Sequence, residues 1–306
     1  MLTYGSLLKR NRYAAIAHLV SGAVLLFLYN YWPASKTRST ISAYRYQLAG
    51  PDSGTCTSTG ATPTNPDECS VEIVYQPPKE TFSVNVVYGS LAFFLFTAAA
   101  HFFYATDAFG TGNYTKNIAA GWNPYRWFEY ATSASLMSVL IGLIDGTRDT
   151  GSLIGTFGIT IAMMLNGYVV ESLLRGKAPI GTSSRDAITG ATNSGWVLYI
   201  SLWTVLLYSF ATLVSDVKRL FEGQTNNGKP IAVPTWIWFI VIFQAFYYAL
   251  FGLVQRSHIH QRLSGAPYDY IKTENSYITL SYFAKLSLAS GIGYGIIFRT
   301  KDCPLE

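Results

Sequence analysis

Charged residues are scarce in this sequence, and so are the patterns that mark metal sites. Of the 306 residues, 13% are Asp, Glu, Lys or Arg, about half of the ~25% that is usual in soluble domains. The three cysteines show no metal-ligand spacing, and the basic residues form no cluster within a nucleic-acid-binding motif. These shortages argue against a soluble domain, a metal centre and a nucleic-acid partner.

Hydrophobic residues, by contrast, make up half of the chain, and aromatic residues make up 15%. Seven apolar stretches are each long enough to cross a hydrocarbon core of ~30 Å, which takes ~20 helical residues. The first stretch is too long for a signal peptide and no A-x-A cleavage site follows it, so we expect it to be retained. Short connections favour antiparallel neighbours in one up-and-down bundle. We therefore predict an all-α membrane protein surrounded by lipid, a single domain over residues 1–306, with spans at 10–33, 82–106, 123–145, 151–174, 195–217, 233–256 and 276–299.

The first connection, residues 34–81, is the exception, because it is long and rich in Ser, Thr, Pro and Gly. Within it, Ile41–Leu48 and Val71–Tyr75 have strand-like composition, which predicts a β-hairpin over one membrane face. A disulfide between Cys56 and Cys69 is plausible if this loop lies outside the cell. A disordered linker with free thiols is the alternative.

The orientation of the bundle is only weakly encoded, because basic residues divide almost evenly between its two sides. The cluster Lys9-Arg10-Asn11-Arg12 before the first span favours a cytoplasmic N-terminus, as does the cysteine-bearing loop after it. With seven helices, the C-terminus would then be extracellular.

Lys285 lies in the middle of the last apolar stretch, Tyr277–Phe298. An ammonium at bilayer depth costs at least ~2.5–3.5 kcal/mol, so an intramembrane lysine indicates a functional site. A desolvated lysine is also a good nucleophile toward an aldehyde, with which it forms a Schiff base. The alternative is a structural lysine that pairs with a carboxylate or reaches toward the membrane surface.

Glu129 is a second intramembrane charge, about one turn into the third span. It is a candidate counter-ion for a protonated Schiff base on Lys285. Arg126 lies three residues earlier, on nearly the same helical face. A local ion pair between Arg126 and Glu129 near the membrane surface is the alternative.

These motifs resemble those of microbial rhodopsins, and most closely those of the heliorhodopsins. The third span reads R-W-F-E-Y followed by S-A-S-L-M, with an arginine three residues before the carboxylate, and the lysine lies mid-way along the seventh. Ser281, four residues before Lys285, stands where pump-type relatives usually have a second carboxylate. The resemblance covers all seven spans. It implies all-trans retinal bound covalently to Lys285, Glu129 as sole counter-ion, a cytoplasmic N-terminus and, as is common in that family, a homodimer.

The same resemblance assigns His18 and His101, in the first and second spans, to a polar cavity near the counter-ion, where they could hold the Schiff-base proton. Histidines that only join helices by hydrogen bonds are the alternative. His258 and His260 are expected in a loop beyond the sixth span. Ser133 and Met137 follow Glu129 by one and two turns and share its face. The predicted pocket comprises Tyr130, Ser133, Met137, Trp203, Trp238, Phe243, Gln244, Phe246 or Tyr247, and Ser281.

Efficient outward pumping is not expected, because Leu140 stands eleven residues after Glu129, where pumps of this type carry a second carboxylate. Glu171, expected near the membrane surface, is the remaining candidate for a relay. We therefore expect a non-enzymatic light sensor with a slow photocycle and an unknown downstream signalling partner. A light-gated or light-driven proton conductor, and a seven-helix transporter or receptor without retinal, are the two alternatives.

Overall fold

The protein is described by a computed structural model for residues 3–31, 39–49, 74–106, 113–176, 180–226, 229–265 and 269–295. The described residues form eight helices and four strands. The helices are α1 (Tyr4–Tyr31), α2 (Val86–Thr106), α3 (Asn113–Ala119), α4 (Pro124–Ile144), α5 (Thr150–Leu174), α6 (Thr182–Leu220), α7 (Thr235–Leu263) and α8 (Tyr270–Gly293). The strands are β1 (Thr40–Ala49), β2 (Val74–Asn85), β3 (Thr225–Asn226) and β4 (Lys229–Pro230).

Six of the described helices are long and apolar enough to cross a membrane, namely α1, α2, α4, α5, α6 and α7. Helix α8 is less apolar because it carries Lys272, Glu274 and Lys285, but it packs against α1, α2 and α7. The short helix α3 lies between α2 and α4 in the chain and contacts α8. The prediction of a helical membrane bundle with a hairpin in its first connection is confirmed.

Helix α4 is the central helix of the bundle. Of its most apolar 18 residues, 72% are buried, against 22–50% for the other five candidate spans. Its start is encoded locally, because the side chain of Asn123 accepts a hydrogen bond from the amide of Arg126 and Pro124 occupies the first turn. Its end leads into a tight turn at Gly146, where φ is +106° and the Leu213 side chain lies 3.1 Å from a would-be Cβ.

The hairpin lies over one end of the bundle, which we call the hairpin side; the opposite end, where α1 begins, is the N-terminal side. Strands β1 and β2 pair antiparallel from Thr40 with Asn85 onward. The Tyr44 amide donates to the Arg148 carbonyl oxygen at 2.7 Å, and the Thr150 hydroxyl donates to the Tyr44 carbonyl oxygen at 3.0 Å. These bonds fix the hairpin to the turn between α4 and α5.

Several predicted boundaries are wrong. Strand β2 runs to Asn85, so α2 begins at Val86 and not at residue 82. Helices α6, α7 and α8 continue beyond their predicted spans, to Thr182, Leu263 and Tyr270 respectively. Hydropathy detects the membrane-embedded core of a helix, whereas the helix itself continues through polar turns at its ends. Some predictions fall outside the described residues. These are the pairing of Cys56 with Cys69, the third cysteine, and the strand prediction at residues 71–73.

Candidate functional site

The Lys285 amine lies at the centre of the bundle, and the residue is 3% exposed. Its Nζ donates a hydrogen bond to Ser281 Oγ at 2.8 Å, one turn earlier on α8. The same Nζ is 3.4 Å from Glu129 Oε1 on α4 and 5.4 Å from the centroid of the Tyr130 ring. A buried ammonium therefore has a carboxylate, a hydroxyl and an aromatic face within reach, as a buried cation requires.

Glu129 is also held by Thr97 of α2, whose hydroxyl donates at 2.5 Å to Oε1, the same oxygen that faces Lys285. This threonine was missed from the sequence, since a neutral hydroxyl in an apolar helix gives no pattern. The carboxylate is 5% exposed and faces inward. The predicted alternative of a local pair between Arg126 and Glu129 is wrong, because the arginine pairs elsewhere.

Arg126 forms a buried cluster with two other carboxylates on the N-terminal side of Glu129. Its guanidinium donates to Glu171 of α5 and to Glu274 of α8, and Nη2 also donates to the Tyr270 hydroxyl at 3.0 Å. The side chains of Arg126, Glu171 and Glu274 are between 0 and 3% exposed. Glu171 is therefore buried between the helices, three residues before the end of α5, and its predicted place near the membrane surface stays a prediction. One cation here faces two anions.

The remaining partners of this cluster are neutral donors. Glu171 Oε2 accepts from the Tyr270 hydroxyl at 2.9 Å and from the Asn123 amide at 3.1 Å. Glu274 Oε1 accepts from Asn123 Nδ2 at 2.8 Å and from the Tyr114 hydroxyl at 3.2 Å. Glu274 was missed because it lies just outside the apolar stretch of the seventh span.

His18 and His101 lie side by side, with parallel rings whose centroids are 5.6 Å apart. Both are buried, at 0 and 4% exposure. His101 Nδ1 is 2.8 Å from Asn11 Oδ1, whereas neither ring nitrogen of His18 has a hydrogen-bond partner within the described part of the chain. The Tyr282 ring packs edge-on against His18 at 5.3 Å. His258, predicted in a loop, is instead 1% exposed in the last turns of α7, and His260 also belongs to that helix.

A cavity of about 840 Å³, counting its open part, begins at Lys285 and extends between α4, α5, α6, α7 and α8. Its walls are largely aromatic and aliphatic, which fits an elongated apolar ligand attached through the lysine. The lining residues include Trp127, Tyr130, Ser133, Met137, Met163, Met164, Asn166, Gly167, Trp196, Tyr199, Tyr248, Phe251, Gln255, Ser281, Ala284 and Lys285.

Four of the predicted pocket residues besides Lys285 line this cavity, and the structure places the others elsewhere. Trp238 and Phe243 are 42 and 40% exposed on the outer surface of α7, and Phe246 is 56% exposed. Gln244 donates to the Ala284 carbonyl oxygen and Ser287 Oγ, both at 2.9 Å, and so joins α7 to α8. Trp203 packs behind the Tyr248 wall, with the two ring centroids 5.9 Å apart. Tyr247 is half-buried outside the lining.

For the predicted residues of α7, the reason is that this helix is apolar on all sides, so its sequence does not show which face turns inward. The face that reaches the cavity carries Tyr248, Phe251, Gly252 and Gln255, further along the helix than the predicted residues. On α4, by contrast, Glu129 fixes the inward face, and the positions predicted from it do line the cavity.

Comparison with known proteins gives one family and one fold. The sequence profile of the heliorhodopsin family matches residues 7–297. The crystal structure of a light-driven proton pump from Leptosphaeria maculans is similar with a TM-score of 0.59 and 10% sequence identity, covering 96% of this chain and 95% of that chain. At this identity the likeness concerns the fold alone. No curated protein matches the chain.

Proposed function

The chain belongs to the heliorhodopsin family, and from that premise we propose that it senses light through retinal held as a protonated Schiff base on Lys285, with Glu129 as counter-ion. Family and fold together identify a retinal-binding, light-responsive membrane protein. They argue against the retinal-free transporter or receptor considered above. Retinal, when bound, supplies visible absorption and a light-driven change of shape beside the lysine nitrogen.

The observation that carries this proposal is the position of the Lys285 amine. It lies at one end of the cavity, with Glu129 Oε1 at 3.4 Å and Ser281 Oγ at 2.8 Å. A carboxylate so close would balance the positive charge of a protonated Schiff base in a site from which water is largely excluded. Thr97 holds that carboxylate in place, and Tyr130, Ser133 and Met137 of α4 would contact the chromophore.

We propose signalling rather than pumping as the outcome of the light reaction. Leu140 is fully buried where a pump would need a carboxylate on the hairpin side. Glu171 and Glu274 are both engaged by Arg126 and by neutral donors, so neither is a freely exchanging proton carrier. A proton that leaves the lysine nitrogen would stay near His18 and His101, which favours a slow photocycle with a long-lived signalling state.

A proton conductor on the same fold is the second candidate, and one observation favours it. Polar side chains continue from His101 through Asn11 and Tyr114 to Glu274, toward the N-terminal side. Photocurrent under voltage clamp decides between the two functions. A steady light-driven current that Glu171→Gln or Glu274→Gln reduces would establish conduction; its absence at several voltages supports the sensor.

We further propose a cytoplasmic N-terminus, an extracellular hairpin and a homodimer, and a downstream partner that has yet to be found. The charge cluster at residues 9–12 and the cysteines of the first connection support the orientation. Protease protection of tags at the two termini in sealed vesicles tests the orientation. Size-exclusion chromatography with light scattering, corrected for bound detergent, tests the dimer.

The chromophore itself is tested by the visible spectrum of purified protein expressed with all-trans retinal. Wild type should show a visible band that Lys285→Ala abolishes, while the matched control Lys272→Ala, at an exposed position on the same helix, keeps it. Glu129→Gln should shift the band to longer wavelength, and the exposed control Glu222→Gln should not. A colourless wild type that is folded by circular dichroism would overturn the proposal, as would a band retained by Lys285→Ala.

A further inference from the structure

A chain of buried hydrogen bonds joins His101 to the Arg126 cluster, and it has a definite direction. His101 Nδ1 is 2.8 Å from Asn11 Oδ1, and Asn11 Nδ2 is 2.9 Å from the Tyr114 hydroxyl. The Tyr114 hydroxyl is in turn 3.2 Å from Glu274 Oε1. The Leu7 carbonyl oxygen and the Glu274 carboxylate decide which atom of each pair carries the hydrogen.

The orientation of the Asn11 amide is fixed by the backbone. Its Nδ2 lies 3.1 Å from the carbonyl oxygen of Leu7, one turn earlier in α1. A carbonyl oxygen can only accept a hydrogen bond, so the amide nitrogen must face it. The reversed amide would bring two acceptor oxygens together in a site that is fully buried. The Asn11 oxygen therefore faces His101.

The Tyr114 hydroxyl continues the chain in the same direction. The amide NH₂ of Asn11 has no lone pair to offer and can only donate to the hydroxyl oxygen. The hydroxyl hydrogen is then directed to Glu274 Oε1, a carboxylate oxygen that also accepts from Asn123 Nδ2 at 2.8 Å. The excess negative charge around Arg126 favours this direction, because it attracts the hydrogen end of the hydroxyl dipole.

From these constraints we infer that Asn11, held by Leu7 and Tyr114, sets the tautomer of His101, with hydrogen on Nδ1 and the lone pair on Nε2. Because the Asn11 oxygen can only accept, the neutral imidazole must place its hydrogen on Nδ1. The other nitrogen, Nε2, is then the basic one. Asn11 is thus a positioning residue that acts through His101.

The consequence for the light reaction rests on the proposed function. A proton released from the Lys285 nitrogen would be taken up by His101 Nε2, which leaves a neutral lysine nitrogen and an imidazolium that still donates from Nδ1 to Asn11. No hydrogen bond along the chain has to reverse when this proton arrives or departs. The opposite tautomer would present an N–H where an acceptor is needed.

The tautomer is measured directly by ¹⁵N magnetic resonance of protein labelled at histidine, reconstituted with retinal in lipid and kept in the dark. Of the four histidines, His101 is assigned by the signals that disappear in His101→Gln. We expect a protonated Nδ1 and an unprotonated Nε2 in wild type. Asn11→Leu removes the acceptor, and the population with hydrogen on Nε2 should become the larger one. Asn30→Leu is the matched control, because exposed Asn30 makes the same bond to a carbonyl one turn earlier, that of Leu26, away from His101.

Wild-type protein with the His101 hydrogen on Nε2, or with both nitrogens protonated, would overturn the inference even if Asn11→Leu does not fold. An unchanged tautomer in folded Asn11→Leu would overturn it too. Repeating the measurement on Lys285→Ala separates this inference from the proposed function, since the hydrogen bonds of Asn11 do not involve the chromophore. If Lys285→Ala gives the expected tautomer but wild type proves colourless, the inference stands and the proposed function fails.

Discussion

The charge imbalance around Arg126 predicts that substitutions of Arg126 and Glu274 will change the stability of the protein by different amounts. Arg126→Gln removes the guanidinium that pairs with both Glu171 and Glu274, whereas Glu274→Gln leaves one cation and one anion. Breaking a buried ion pair by removing one partner typically costs ~3–5 kcal/mol, because the remaining charge is left uncompensated. Arg126→Gln leaves two such charges, so its loss should be at least that large.

The loss from Glu274→Gln should be much smaller. The glutamine keeps an oxygen that can accept from Asn123 Nδ2, as Glu274 Oε1 does at 2.8 Å, and it removes the repulsion between two carboxylates around one arginine. The double variant Arg126→Gln, Glu274→Gln should accordingly be more stable than Arg126→Gln alone. Such an interaction between neighbouring substitutions is the signature of a shared charge balance.

The assay is the apparent Tm of the purified variants in one detergent, followed by circular dichroism and by loss of visible absorption. For Arg126→Gln the ~3–5 kcal/mol corresponds to a Tm lowered by roughly 6–10 °C, at ~2 °C per kcal/mol for chains of this size. Arg219→Gln, which removes a pair with Asp216 whose side chains are 76 and 57% exposed, is the control and should leave Tm within ~1 °C. The reasoning is refuted if Arg126→Gln has the same Tm as wild type, or if the double variant has a lower Tm than Arg126→Gln alone.

Two further predictions concern positions elsewhere in the bundle. Burial raises the pKa of the Asp145 carboxyl in the α4–α5 turn from 3.8 to about 8, against smaller opposing effects of Thr147 and Arg148. Between these two pH values the native state keeps a proton that the unfolded chain has lost, so the free energy of unfolding should fall as pH rises from about 4 to about 8. Asp145→Asn should have the same stability as wild type near pH 4 and be more stable at pH 9, by up to ~5 kcal/mol, with a correspondingly higher Tm. If the Tm values of the two proteins change with pH in parallel, this prediction is contradicted. Gly167→Ala should lower stability by ~1–3 kcal/mol and shift the visible band, because a Cβ there would lie 2.1 Å from the Trp127 ring that lines the cavity. Gly158→Ala, with open space around the new methyl group, is its control, and equal effects of the two substitutions would show that Trp127 is not the cause.

The sequence predicted the centre of the site better than its surroundings, for a physical reason. Lys285 and Glu129 are recognisable because a charge within an apolar helix is costly and has to be explained. Thr97 and Asn11 carry no charge, and hydroxyl or amide groups are tolerated in membrane helices without leaving a pattern. Glu274 was missed for a different reason, since α8 continues into polar sequence before its apolar stretch begins. Contacts between helices far apart in the chain decide which of these groups matter, and no local pattern records them.

The polar groups of the bundle are distributed unequally about Lys285, and this asymmetry bears on where a released proton can go. Toward the hairpin side, α4 presents the fully buried Leu140 and Ile141 before its next titratable group, Asp145. Toward the N-terminal side lie the stacked histidines and then a cluster with two carboxylates for one guanidinium. An excess of buried negative charge attracts a proton, and apolar packing repels one. The electrostatics therefore oppose transfer toward the hairpin and hold the proton on the N-terminal side, where its presence could alter the contacts of α1, α2 and α8 without crossing the bundle.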